Sequence, residues 1–393
     1  MFDKFKQIAL LNTDDFNYIF IHLSKQKSMH TIQDITNHIE ELCPLQYAES
    51  FDNVGLLVGN PSTKVTGVLV ALDCLETIVD EAIEKKCNLI VAFHPIVFSG
   101  LKKFNGTSYV ERVVIKAIKN DIAIYAMHTA LDNMFDGVNG MICDQLKLTN
   151  RTILIPQKNT LKKLLVYVPV KHATALRRSL FESGAGSIGN YDNCSFNIEG
   201  KGTYRGNEDS NPTIGNIGEN HTENEIGISV VFEKHKQSNI VKAMFANHPY
   251  EEVAYELSTL ENNIQTIGMG MVGEFETAMS EDAFLLLLKK QFKTPCIKHS
   301  KKTGKLIKRV AVLGGAGSFA IDNAIRAGAD AYVSADFKYH EFYKAENQII
   351  IADIGHYESE QYTNNLLVEF LTKKFTNFAI ILSDKITNPI YYI

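Results

Sequence analysis

The chain lacks any hydrophobic run long enough to cross a membrane. Its apolar stretches, such as Leu89–Phe93 and Ile349–Ala352, are strand-sized, far short of the ~20 residues of a spanning helix. It also lacks an excess of positive charge: 40 Lys and Arg face 45 Asp and Glu, for a net charge of -5. Without a basic cluster there is no electrostatic footprint for nucleic acid, so neither nucleic acid nor a membrane is expected as a partner. No CxxC pair is present. The six cysteines (Cys43, Cys74, Cys87, Cys143, Cys194 and Cys296) are scattered, which in a chain of this size reads as reduced thiols in a reducing compartment. The first 28 residues carry acidic side chains inside their apolar part, which argues against a secretory signal. Residues 1–28 are expected to be an N-terminal extension, Met29 could serve as a start, and the cytoplasm is the expected location.

What is present is an ordinary globular composition, 45% apolar and 22% charged. At 393 residues the chain is too long for one compact core and suits two or three domains. From Thr31, TIQDITNHIEELCP reads as an amphipathic helix capped by Thr31 and stopped at Pro44. Strand and helix signals then alternate: Val65–Asp73 strand, Leu75–Lys85 helix, Asn88–Phe93 strand, Ser108–Asn120 helix, Ile122–Met127 strand. Alternation at this spacing implies crossover units and a parallel sheet. After about Arg151 the texture changes. Leu161–Pro169 (strand), Ala173–Ser183 (helix), Ile226–Phe232 (strand), Ser238–Ala246 (helix) and a strand near Val253–Leu257 give roughly the order β-α-β-β-α-β of a ferredoxin-like unit. Parallel-sheet grammar returns with the strands Val310–Leu313, Ala331–Ser334 and Ile349–Ala352 and the helix Glu360–Phe375. The fold class expected is one α/β domain with a largely parallel sheet. Its first part spans 29–157 and its second 266–393, with a ferredoxin-like insert at 158–265.

Four of these strands end in ligand-type residues: His94, His128 with Asp132, Asp336 with His340, and His356 with Glu360. In an open parallel sheet the carboxyl ends of strands share one edge, where ligands bind, so separate stretches of chain would deliver imidazoles and carboxylates to one place. His356 and Glu360, four apart at a helix start, face the same way. Imidazole with carboxylate suits zinc, iron or manganese, and bridging carboxylates can hold two ions. Each residue also has a plain structural reading: a packed strand-end histidine at His94, a helix-capping turn at His128 and Asp132, a cap with a surface histidine at Asp336 and His340. His128, Asp336 and His340 are candidates for orienting ligands. GGAGS (Gly314–Ser318), between strand and helix, stands where backbone N–H groups could cradle phosphate. It lacks the full dinucleotide fingerprint, so tight strand–helix packing is the favoured role. For HPYEEVAY (His248–Tyr255) a domain-packing or subunit-contact role is favoured over a second metal site.

Together FDNVGLLVG, ALDCLETIVDEAIEKKCNLIVAFHPIVFSG, AIYAMHTALDNMFDGVN, GGAGS, SADFKYHEF and IGHYESEQYTNNLL resemble the dinuclear-metal-centre hexameric family. Its members are labelled GTP cyclohydrolase 1 type 2 homologues, or Nif-three-like proteins. The stretch with KLLVYVP, ESGAGSIGNYDNCSF and NHPYEEVAYEL is similar to the PII/CutA-like insert of the family's longer members. The resemblance implies a homohexamer, as a trimer of dimers or a dimer of trimers, with one or two divalent metal ions per chain. It places the metal ligands on His94, Asp132, His356 and Glu360. Phe93 stands where the family has the first histidine of a pair, leaving four protein ligands for two ions, and Phe51 stands where it has tryptophan. The implied activity is metal-dependent hydrolysis of a nucleotide or related small molecule. The competing class is a non-catalytic metal-binding or regulatory protein, whose insert would sense a small molecule or join trimers.

Overall fold

The computed structural model describes residues 30–393; the expected extension at 1–28 lies outside them. The described chain divides into two compact units. The largely parallel sheet expected as one is two sheets, one in each unit. The reason is visible in the pairing: the last strand of the chain closes beside the first crossover unit rather than beside the strands that precede it.

Of the described residues, the first unit takes 30–41, 53–127 and 364–387. Helix α1 (Ile32–Leu42) opens with a reciprocal cap: Asp34 N donates to Thr31 Oγ1 (3.3 Å) and Thr31 N donates to Asp34 Oδ2 (2.8 Å). Its sheet runs β1 (Gly55–Val58), β4 (Ala123–Ala126), β3 (Leu89–Ala92), β2 (Gly67–Ala71), β15 (Ala379–Leu382). Only β1 is antiparallel to its neighbour; the rest pair in parallel. Strands β2, β3 and β4 are buried at every position, as expected of strands covered on both faces. Helices α2 (Glu76–Glu84) and α3 (Tyr109–Lys119) make the crossovers. Their Ile78, Val79, Ala82, Val113 and Ala117 pack on Leu69, Ile90 and Ile124. Helix α11 (Thr363–Lys374) leads into β15.

The second unit takes residues 42–52, 128–363 and 388–393. Its larger sheet runs β11 (Lys298–His299), β14 (Ile350–Asp353), β13 (Ala331–Ala335), β12 (Leu306–Ala316), β10 (Gly268–Ser280), β5 (Thr149–Pro156). Strands β12, β13 and β14 are parallel, and the flanking strands antiparallel. Five helices belong with it: α4 (His128–Asp132), α5 (Val138–Leu146), α8 (Glu281–Gln291), α9 (Ile321–Arg326) and α10 (His356–Glu360). Between β5 and β10 lie β6 (Leu161–Pro169), α6 (Val170–Glu182), β7 (Phe196–Arg205), β8 (Asn220–Glu233), α7 (Gln237–Asn247) and β9 (Tyr255–Leu260). These four strands form a separate antiparallel sheet in the order β7-β8-β6-β9. Leu164, Val166, Ile228 and Val230 of that sheet pack on Leu176, Leu180, Ile240 and Met244 of α6 and α7. No helix among the described residues is long and apolar enough to cross a membrane, and all six cysteines are free thiols.

Candidate metal centre

In the first unit, β3 ends at Ala92, and a fully buried Phe93 and then His94 follow. The His94 ring lies 4.9 Å from the Phe93 ring, and its Nδ1 is 2.8 Å from Asp73 Oδ1. Asp73 stands two residues after β2, and its other oxygen accepts from Thr387 Oγ1 (2.6 Å). A carboxylate on Nδ1 fixes the ring and leaves Nε2 to meet a cation, the arrangement that serves metal-ligating histidines.

The second unit repeats this device twice. His128 begins α4 with φ +23, and its Nδ1 is 2.9 Å from Asp52 Oδ1. The other Asp52 oxygen accepts from Thr129 N (3.0 Å) and from the Thr129 hydroxyl. Burial alone would raise the Asp52 pKa, but these hydrogen bonds outweigh it and hold it down to about 2. His356 begins α10, and its Nδ1 is 2.7 Å from Asp336 Oδ2. Asp336 follows β13 with φ +57, a left-handed conformation that is uncommon for a non-glycine residue and that turns its carboxylate toward His356. On the far side of the ring, His356 Nε2 is 3.3 Å from Glu360 Oε2, one helical turn on. Burial opposes charge on this imidazole, yet the carboxylates of Asp336 and Glu360 overcome it and push its pKa up to about 11. Two carboxylates converging on one ring make a place that favours a cation.

The GGAGS turn forms the wall beside this pair. Gly315 (φ +68) passes so close that a Cβ there would stand 2.4 Å from Glu360 Oε1 and 3.3 Å from His356 Nε2. Its N–H donates to Ser359 Oγ (2.9 Å), and that of Gly314 to Asn139 Oδ1 (3.0 Å). Those amides are engaged within the protein, and the turn's part is close packing against His356 and Glu360.

The remaining expected residues divide. Asp132 ends α4, where its carbonyl accepts from Asn139 Nδ2 (3.0 Å). His340 is exposed and stacks on Tyr343 (ring centroids 6.1 Å, 29°), so of the pair Asp336 and His340 it is Asp336 that holds a site histidine. The strand ends do not share one sheet edge, as the sequence suggested: β3 and β4 belong to one sheet, β13 and β14 to the other. Two anchoring residues were missed. Asp73 follows a strand, which was the available signal. Asp52 lies in a loop, and nothing in its local sequence ties it to His128.

The comparisons with known proteins bear on more than nine-tenths of this chain. The family model described as Duf34/NIF3 (NGG1p interacting factor 3) matches residues 30–389. The chain belongs to the Duf34/NIF3 family. The Bacillus subtilis protein named GTP cyclohydrolase 1 type 2 homolog is 35% identical over 371 residues, covering 92% of this chain and 98% of its own. Its namesake in Halalkalibacterium halodurans is 36% identical over 366 residues, with the same coverage. Among solved structures, a Bacillus cereus protein related to NIF3 superposes with a TM-score of 0.79 at 35% identity, covering 93% of this chain and all of the other. The family thus extends across the first unit, both sheets of the second, and every residue of the candidate centre.

Proposed function

We propose that this protein is a divalent-metal-binding protein acting as a metal-dependent hydrolase on a nucleotide or related small molecule. The observation that carries the reading is the thrice-repeated pairing of a histidine Nδ1 with a carboxylate, at His94, His128 and His356. We assign one ion to His94, His356 and Glu360, each of which can offer one ligand atom. Two imidazole nitrogens with a carboxylate oxygen are a donor set for zinc, iron or manganese. Asp132 and His128 are the residues we assign to a second ion, following the family resemblance and the place of Phe93 beside His94. When bound, divalent ions supply Lewis-acid polarisation of a substrate oxygen and lower the pKa of water. The protein's own part is to keep each Nε2 aimed by its Asp73, Asp52 or Asp336 partner and to wall the site with Gly315. We read residues 158–265 as a ferredoxin-like, PII/CutA-like insert, because their elements run β-α-β-β-α-β in the sheet order β7-β8-β6-β9. We further propose assembly into a cytoplasmic homohexamer. The test of activity is turnover of a panel of nucleotides and phosphoesters by metal-loaded protein. Hydrolysis abolished by Glu360→Ala supports the reading, and no turnover of any member by fully loaded protein overturns the hydrolase.

A further inference from the structure

Two single turns far apart in the chain meet in the second unit. Leu45–Tyr47 follows Pro44, and Lys234–Lys236 joins β8 to α7. Tyr47 is buried, and a buried phenol needs a partner for its hydroxyl. Its Oη lies 2.9 Å from His235 Nδ1, 188 residues away in the chain, and the two rings meet nearly edge-on at 5.4 Å between centroids. Burial raises the Tyr47 pKa and lowers that of His235, so hydroxyl and imidazole face each other uncharged. Beside them Lys234 Nζ donates to the Gln46 carbonyl (3.3 Å), and Gln157 Nε2, just before the insert, donates to the Tyr47 carbonyl (3.0 Å). The 45–47 turn is stiff. Pro44 fixes the backbone before it, Tyr47 N donates to the Pro44 carbonyl (3.0 Å), and Ala48 N donates to that of Leu45 (3.1 Å).

From this turn the chain runs on to both ends of α4, the helix that carries His128 and Asp132. At its start, Glu49 N donates to Thr129 Oγ1 (2.9 Å), and Asp52 accepts from Thr129 N and faces His128 Nδ1. At its end stands Asn133, buried and next to Asp132. Its Nδ2 donates to the Tyr47 carbonyl (2.8 Å) and to Glu49 Oε1 (3.1 Å). Asp52 N donates back to the Glu49 carbonyl (3.0 Å), which keeps the segment compact. Five residues are too few to hold a helix by its own hydrogen bonds. What grips its ends therefore decides where His128 and Asp132 stand. Residues 45–52 grip both ends, and through Tyr47 they are gripped in turn by the insert.

We propose that Tyr47 is a positioning residue for the second ion, and that its contact with His235 makes the insert a control element of that ion's site. Whatever shifts the Lys234–Lys236 turn shifts α4 through residues 45–52. The segment supplies the continuous chain of hydrogen bonds that coupling between two places requires. The inference rests on the assignment of His128 and Asp132 to the second ion, and it leaves the ion assigned to His94, His356 and Glu360 untouched.

The test has two readouts on the full chain. The first is hydrogen exchange of chelator-treated, metal-free protein. Tyr47→Phe keeps the ring and removes the hydroxyl. Faster exchange is expected at 45–53, 128–133 and 234–236, with the rest of the second unit unchanged. The second readout is calorimetric titration with zinc. The zinc site that His128→Ala removes should lose affinity about threefold or more in Tyr47→Phe and in His235→Leu, while the other site keeps its own. The double variant should lose no more than the larger single effect, because both substitutions break one contact. If His128→Ala leaves zinc binding untouched, the second-ion assignment fails, and exchange still decides whether the insert holds α4. Unchanged exchange at 128–133 in Tyr47→Phe would overturn the proposal. So would an equal loss at both zinc sites, the mark of a merely structural role. An unaltered second site in Tyr47→Phe, where His128→Ala removes it, would overturn it as well.

Discussion

A histidine can bind a metal through either ring nitrogen, and the group on the other nitrogen decides which. Here Asp73, Asp52 and Asp336 each occupy the Nδ1 side. Asp336→Asn keeps the side chain's size and removes its charge, so metal affinity should fall ten- to a hundredfold with little change in fold, which a competitive zinc titration can read. Asp52 supports a pH prediction. Its folded pKa of about 2 lies below the ordinary 3.8, so its contribution is fully present above pH 4 and is lost as pH falls from there through about 2. The shift corresponds to about 2 kcal/mol at most. Denaturant unfolding of Asp52→Asn against the unmodified chain should show the difference near pH 6 and its disappearance near pH 2. A constant difference across that range would show that the Asp52 carboxylate charge is not what stabilises the loop. At this scale the sequence singled out His94, His356 and Glu360, because strand ends and a four-residue helical spacing are local features. It was silent on the pairing of His128 with Asp52, 76 residues apart, because only the folded chain brings them together.

Among the elements, the turn from β12 toward α9 matters most to the centre. Gly315 has φ +68 and no room for a Cβ beside Glu360. Gly315→Ala adds a left-handed strain of roughly 1 kcal/mol and forces the Glu360 carboxylate aside. Lower metal occupancy together with a lower unfolding midpoint is expected, and calorimetry reads both. An unchanged occupancy would mean that Glu360 is not held by this wall. The parallel strands β2, β3, β4, β12, β13 and β14 were legible because their apolar runs are continuous and bounded by helices, whereas β15 was missed. Strands β7 and β8 were not resolved as a long hairpin. Most of β7 is exposed, and Gly200, Gly202, Gly206 and the asparagines around them give no alternating pattern for a reading by periodicity to find. Strand β10 was missed as well, since Gly268, Gly270 and Gly273 interrupt its apolar sequence.

For the whole molecule, the sequence suggested one largely parallel sheet, whereas the parallel strands are divided between two sheets, and the last strand, β15, pairs with β2 near the start of the chain. Crossover rhythm tells that strands are parallel, not which sheet they join. Light scattering of the full chain should return six times the chain mass, and removal of residues 158–265 should lower the order of assembly; a monomer would contradict the proposed hexamer. The central claim is the metal centre, and it is tested most directly by the transition-metal content of purified full chain beside a folded His356→Ala/Glu360→Ala double variant. The account predicts at least one ion per chain in the unmodified protein and loss of most of it in the double variant. Full occupancy in the double variant would contradict it.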